Sequence, residues 1–298
     1  MARRFRFGVN FLSPSSGAEW TKKCRHAETL GYDVLLVPDH LGWPAPFPSL
    51  VAAAQATERP RVGTFVLNAA FWNPVLLARE VATTDQLTGG RLELGLGAGY
   101  VRAEFEQAGL EYGSPRDRAD RLERTVEELD RLLSDEAHEP ASAQRPRPPL
   151  LLGGNGNRLL RLAARHADIV AFTGGEPAPG KTDGSMRLLG PEALADRVAT
   201  ARRFTAEYGT DPELNVLVQR VVPTSDRAGA ARELQSHGPD VTPEQLLDLP
   251  TLLIGTVKEM AGQLRRHREQ LGLTYITVME PVMEDFAPVI EELRRTEG

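Results

Sequence analysis

One cysteine in 298 residues leaves no partner for an internal disulfide and no thiolate cluster for a metal. That residue, Cys24, falls on the apolar face of a helical stretch, so a packed thiol is expected rather than a nucleophile. Positive charge is also in short supply. Against 41 Asp and Glu stand 35 Lys and Arg, a net charge of −6 that leaves no electrostatic footprint for nucleic acid. No apolar run is long enough to span a bilayer. The N-terminal MARRFRFGVNF alternates like a strand and lacks the apolar core and cleavage site of a signal peptide. A cytoplasmic protein without nucleic-acid or membrane partners is expected. The histidines His26, His138, His166, His237 and His267 fall on helices or loops, none paired at metal-ligand spacing, so no metal is expected. With no repeat and no compositional break, residues 1–298 read as one domain.

What the chain does contain is alternation. Strand-like runs at Phe5–Val9, Val34–Val37, Val62–Leu67, Leu92–Leu96, Leu150–Leu152, Ile169–Phe172, Leu214–Val222 and Tyr275–Met279 are mostly short and apolar, as in strands buried on both faces. Helical periodicity separates them. Trp20, Cys24, Ala27 and Leu30 lead to Gly31, and Ser49–Ala56 forms a short helix. Asn73-Pro74 starts another with a side-chain cap and a proline in the first turn. Ser114-Pro115-Arg116-Asp117 opens a stripe of Leu122, Val126, Leu129 and Leu133. Further helices cover Leu159–His166, Glu192–Tyr208, Ala228–Leu234, Pro243–Leu247, Thr256–Leu271 and Phe286–Arg295. Residues 134–149 and 174–190 read as surface loops or insertions, the second a possible lid. The pattern is α/β, a (β/α)8 TIM barrel, with a doubly wound open sheet as the alternative.

The densest motif is GGRLELGLGAGY, Gly89 to Tyr100. A dinucleotide fingerprint would need G-x-G-x-x-G opening a helix, and the third glycine slot holds Tyr100 or Arg102 instead. What remains is a strand end whose glycines leave room for a flat ligand. Barrel chemistry sits at the carboxyl ends of the strands, which nominates Asn10, Asp39, His40, Asn68, Gly97, Gly99, Tyr100, Gly153, Gly154, Thr173 and Glu280. Asp39-His40 places a titratable pair on that face, and an imidazole exchanges a proton near neutrality. In Gly153-Gly154-Asn155-Gly156-Asn157, glycines before a helix N-terminus aim backbone N–H groups at an anion, with Asn155 and Asn157 as supplementary donors. The plainer alternatives are two polar residues at a strand end and a tight turn.

VLLVPDH, VLNAAFWNPVLLAREVATTDQLTGGRLELGLGAGY and LLLGGNGNRLLRLAARHADIVAF together resemble the bacterial luciferase-like superfamily of flavin and deazaflavin barrel enzymes. The pattern is most similar to the branch that uses coenzyme F420. The resemblance implies that Asp39 and His40 face the cofactor ring and reacting centre, His40 as general base with Trp43 close by. It implies a strand bulge, often with a non-prolyl cis peptide behind the ring, near Phe65-Val66, and a phosphate-binding turn at Gly153 to Asn157. Sugar-phosphate dehydrogenases of that branch carry a glutamate where this chain has Tyr100, which speaks against that activity.

The resulting expectation is a coenzyme F420-dependent oxidoreductase that moves hydride between the deazaflavin and a small organic substrate. His40, Asp39 and Tyr100 are the candidate catalytic residues. Asp39, Phe65, Val66, Asn68, Gly97, Ala98, Gly99, Gly153, Gly154, Asn155, Gly156 and Asn157 are the candidate cofactor contacts. The rivals are an FMN-dependent monooxygenase, which would use O2 and a partner reductase, and a non-catalytic flavin-binding barrel. A homodimer is implied by the resemblance alone.

Overall fold

The computed structural model describes residues 3–13, 15–178, 180, 185–235 and 241–297. The first half contains β1 (Arg6–Asn10), α1 (Gly17–Thr29), β2 (Val34–Val37), α2 (Pro46–Ala56), β3 (Arg61–Thr64), β4 (Leu67–Asn68), α3 (Pro74–Leu87), β5 (Leu92–Gly97), α4 (Arg102–Gln107) and α5 (Pro115–Ser134). Then follow β6 (Leu150–Gly153), α6 (Asn157–His166), β7 (Ile169–Phe172), β8 (Gly175–Pro177), β9 (Met186–Leu188), α7 (Pro191–Tyr208) and β10 (Glu213–Val218). The chain closes with β11 (Arg220–Pro223), α8 (Arg227–Gln235), α9 (Pro243–Leu246), β12 (Leu252–Gly255), α10 (Val257–Leu271), β13 (Leu273–Met279) and α11 (Met283–Glu297).

The main sheet runs β3-β2-β1-β13-β10-β7-β6-β5-β4, and a further pairing of β3 with β5 closes it. All its pairings are parallel. With β3 and β4 taken as one interrupted strand, this is a closed eight-stranded barrel with helices between its strands. The open-sheet alternative is excluded.

Burial on both faces explains the predominantly apolar strands. Outward side chains such as Leu35, Val37, Leu94 and Leu152 join the helix faces in one core, while Val34, Leu36, Phe65, Leu151, Ile169, Ala171 and Tyr275 pack inside the barrel. At the amino ends of the strands the interior is closed by charge. Arg6 pairs with Glu213 at 2.7 Å and with Glu93, Arg61 donates to Glu93 at 2.7 Å, and the Arg6 guanidinium lies 4.5 Å from the Tyr275 ring centre. That plug leaves the carboxyl ends as the open face. Local signals set the helix starts. Ser16, Ser114, Thr242 and Thr256 form reciprocal capping boxes, and Asn73 caps α3.

Several segments differ from the sequence reading. The third strand is broken at Phe65-Val66 rather than continuous from Val62 to Leu67. The run Leu214–Val222 divides: β11 leaves the barrel and pairs in parallel with β12, a strand that periodicity had not separated from its surroundings. The presumed loop 174–190 carries the antiparallel pair β8 and β9. Pro179, Lys181 and Asp183 of that loop lie outside the described residues, as does His237. Helix α2 starts at Pro46, because a proline fits the first turn, where no N–H is needed. The 134–149 connection is not wholly superficial. Gln144 anchors it, with its backbone N–H and its side-chain amide both donating to Asp85, at 2.8 and 2.7 Å.

Candidate active site

The break in the third strand shapes the open face. Val62 pairs with Leu92 and Gly63 with Glu93, whereas beyond the break Leu67 pairs with Leu96 and Asn68 with Gly97. One extra residue has entered the strand, which makes a β-bulge. The Phe65-Val66 peptide within it is cis, at the position the resemblance implied. Thr64 bridges the gap: its hydroxyl donates to the Gly95 carbonyl and accepts from the Gly95 N–H, both at 2.8 Å.

This arrangement corrects the reading of the glycines. A Cβ on Gly95 would lie 2.0 Å from the Thr64 carbonyl oxygen, and one on Gly97 would lie 2.8 Å from a Val66 methyl. At Gly99, where φ is +75°, it would meet the Asn68 amide at 2.4 Å. Protein fills the room these glycines leave: they admit the bulged strand. Phe65 points its ring into the barrel interior. What this rim can offer a flat ligand is the backbone of Gly97-Ala98-Gly99 and the edge of Val66.

Asp39 and His40 leave the end of β2 with different partners. The Asp39 carboxylate accepts from the Asn68 backbone N–H at 3.2 Å and from Trp72 Nε1 at 2.9 Å. Burial pushes its pKa up, opposed by those two hydrogen bonds. Asn68, in turn, accepts from the Ala70 N–H and caps a short 3-10 turn, so its side chain is engaged locally.

His40 Nδ1 lies 2.8 Å from Glu104 Oε1, and the two side chains are 21% and 15% exposed. A carboxylate accepts only, so Nδ1 carries the hydrogen and Nε2 is left as the basic nitrogen. Edge-on aromatic rings flank the imidazole, Trp43 at 4.7 Å and Tyr100 at 5.8 Å between centres. Surrounding protein, and next the Glu104 carboxylate, push the Tyr100 phenol above its ordinary range, although the residue is 40% exposed.

Neither Glu104 nor Trp72 was nominated from sequence. The usable signal for Glu104 was its place in a short helix directly after the glycine rim. Trp72 had none beyond being a tryptophan beside the next helix start.

At the anion turn, α6 begins after Gly156 with no side-chain cap, so its first N–H groups are available. Gly154 adopts φ +146° and packs against Leu159. The asparagines do not act as simple extra donors. Asn155 Nδ2 donates to the Gly175 carbonyl at 2.6 Å, tying the turn to β8, and Asn157 Oδ1 accepts from Arg197 Nη1 at 2.7 Å. Arg197, absent from the sequence reading, therefore brings a cation to this helix start. Glu280 is structural: it accepts from the Leu12 and Ser13 N–H groups at 2.7 and 2.9 Å and pairs with Lys23. Cys24 is fully buried, and burial pushes its thiol up to about 12. No helix among the described residues is long and apolar enough to cross a membrane.

A closed parallel barrel with a bulged third strand and a histidine–carboxylate pair at its carboxyl face defines a barrel of the luciferase-like kind. The model of the luciferase-like monooxygenase family matches residues 5–239, and the chain belongs to that family. It is 31% identical over 212 residues to a 4-hydroxyprotoasukamycin monooxygenase from Streptomyces nodosus subsp. asukaensis, covering 60% of this chain and 55% of the relative. It is 26% identical over 188 residues to a 5,10-methylenetetrahydromethanopterin reductase from Archaeoglobus fulgidus, covering 58% and 54%. The matches thus span about half the length of these relatives. Among solved structures, an F420-dependent secondary alcohol dehydrogenase in complex with an F420-acetone adduct aligns with a TM-score of 0.73. It is 20% identical and covers 98% of this chain and 100% of that one, a likeness of fold.

Proposed function

We propose that this chain is an oxidoreductase that binds coenzyme F420 at the carboxyl face of the barrel and uses His40 to move a proton at the substrate oxygen. The observation that carries this reading is the His40–Glu104 pair beside the glycine rim. The bound deazaflavin would supply or accept the hydride. Interconversion of an alcohol and a carbonyl also moves a proton on oxygen, and His40 Nε2 is the group left to take or return it. Glu104 fixes the ring and balances the imidazolium charge. Asp39, held by Trp72 and Asn68, supports the bulged strand on which the ring would rest. The N–H groups at the start of α6, with Arg197 beside them, suit the cofactor's phosphate.

The second reading is an FMN-dependent monooxygenase, favoured by the 31% identity to a monooxygenase. Titrating the protein with each cofactor, oxidised and reduced, separates the two. Saturable binding of coenzyme F420, with FMN at least about tenfold weaker (about 1.4 kcal/mol), supports the first. Tighter FMN binding with oxygen-dependent turnover replaces it with the second.

A further inference from the structure

His40 makes edge contacts with two aromatic rings that are themselves open to solvent. Trp43 and Tyr100 are each 40% exposed, unusual for large apolar side chains set against one imidazole. Isolated exposed apolar residues are ordinary, but a group of them rimmed by polar atoms marks a binding surface.

Carboxylates are the charged groups at the imidazole. Glu104 lies against the imidazole and Asp39 precedes it in the chain. The nearest arginine in sequence to Glu104, Arg102, is two positions away on the same helix. Residues two apart on a helix point in different directions, so the turn that delivers Glu104 to His40 carries Arg102 away. Its guanidinium lies instead 4.4 Å from the Tyr112 ring centre. Arg118 is also at Tyr112, at 4.0 Å, and donates to the Gly99 and Gly113 carbonyls. Neither guanidinium is therefore paired with the Glu104 carboxylate, which is given to His40.

From this arrangement we infer the substrate class: an uncharged molecule with a flat apolar body, its carbonyl or hydroxyl oxygen at His40 Nε2 and its body against the exposed Trp43 and Tyr100 rings. A phosphorylated or carboxylate substrate would bring its negative charge against the Glu104 carboxylate, a repulsion strengthened by partial burial. The inference deepens the proposed function and rests on its placing of the reacting centre at His40. The slot's selectivity, however, depends on residues already present in the free protein.

Calorimetric titrations of the free and the F420-loaded protein test it, with three probes: acetophenone, its anionic analogue benzoylformate, and glucose 6-phosphate. Acetophenone is expected to bind at least tenfold tighter than either anion in both forms. Trp43→Ala is expected to weaken acetophenone roughly tenfold, the scale of one lost aromatic contact. Trp43→Phe should largely restore it, and cofactor affinity should stay within about twofold in both variants. Equal or tighter binding of either anion, or no binding of acetophenone by the free or the loaded protein, overturns the inference. Failure of coenzyme F420 to bind while the neutral-over-anionic preference persists would overturn the cofactor reading and leave the slot standing.

Discussion

The Glu104 carboxylate reaches across 64 residues of chain to hold His40 Nδ1 at 2.8 Å. Two consequences follow from this contact. It sets which imidazole nitrogen is basic, and it joins the short helix α4, which buries Phe105, to the face proposed for catalysis. Glu104→Gln keeps the shape but removes the charge, and its amide can donate as well as accept, so it no longer enforces Nδ1–H. Turnover is expected to fall by roughly 10²-fold, the scale of a misplaced reacting group. Cofactor affinity should be unchanged, and nitrogen NMR of His40 should show that the single tautomer has been lost.

The bulge makes a sharper demand on glycine than the ligand does. Because a Cβ at Gly95 would sit 2.0 Å from a backbone oxygen, Gly95→Ala is expected to cost about 3 kcal/mol or more in urea unfolding. Gly17→Ala is the control. Nothing lies within 4 Å of a Cβ there, and its cost should stay within about 0.5 kcal/mol. Equal costs at the two positions would contradict the described bulge.

Acid should unlock the end of β13. Burial alone would raise the Glu280 pKa, but Lys23 and the N–H groups of Leu12 and Ser13 outweigh it and hold this carboxylate below its ordinary range. A carboxylate lowered in the folded state adds stability that is present above its unfolded pKa and lost as pH falls through the folded one. Glu280→Gln should therefore be less stable than the parent by about 1–3 kcal/mol at pH 7. The difference in melting temperature should narrow progressively as pH falls below the ordinary carboxylate range, and a gap that stays as wide in acid as at pH 7 would count against it.

The barrel was legible because its signal is local and repeated. Runs such as VLLV, LLLG and IVAF, each bounded by polar or glycine residues, are the mark of strands covered on both faces. Asp39, His40 and the Phe65-Val66 bulge followed from strand ends and from the resemblance. Partnerships were another matter. Glu104 with His40, Trp72 with Asp39 and Arg197 with Asn157 join separate helices and turns, and no sequence period encodes such meetings. The glycines illustrate the same limit. Their spacing announced a close approach but not what approaches, and Thr64, Val66 and Asn68 proved to be the neighbours. Where β11 leaves the barrel, a run that reads as one strand concealed a change of partner from β13 to β12.

Measuring cofactor affinity and turnover on one preparation of His40→Ala tests the proton-handling role most directly. Affinity within about twofold of the parent, with turnover reduced about 10² to 10⁴-fold, is the expected result for loss of a general acid–base. Turnover equal to the parent's, at the same affinity, would remove His40 from the chemistry.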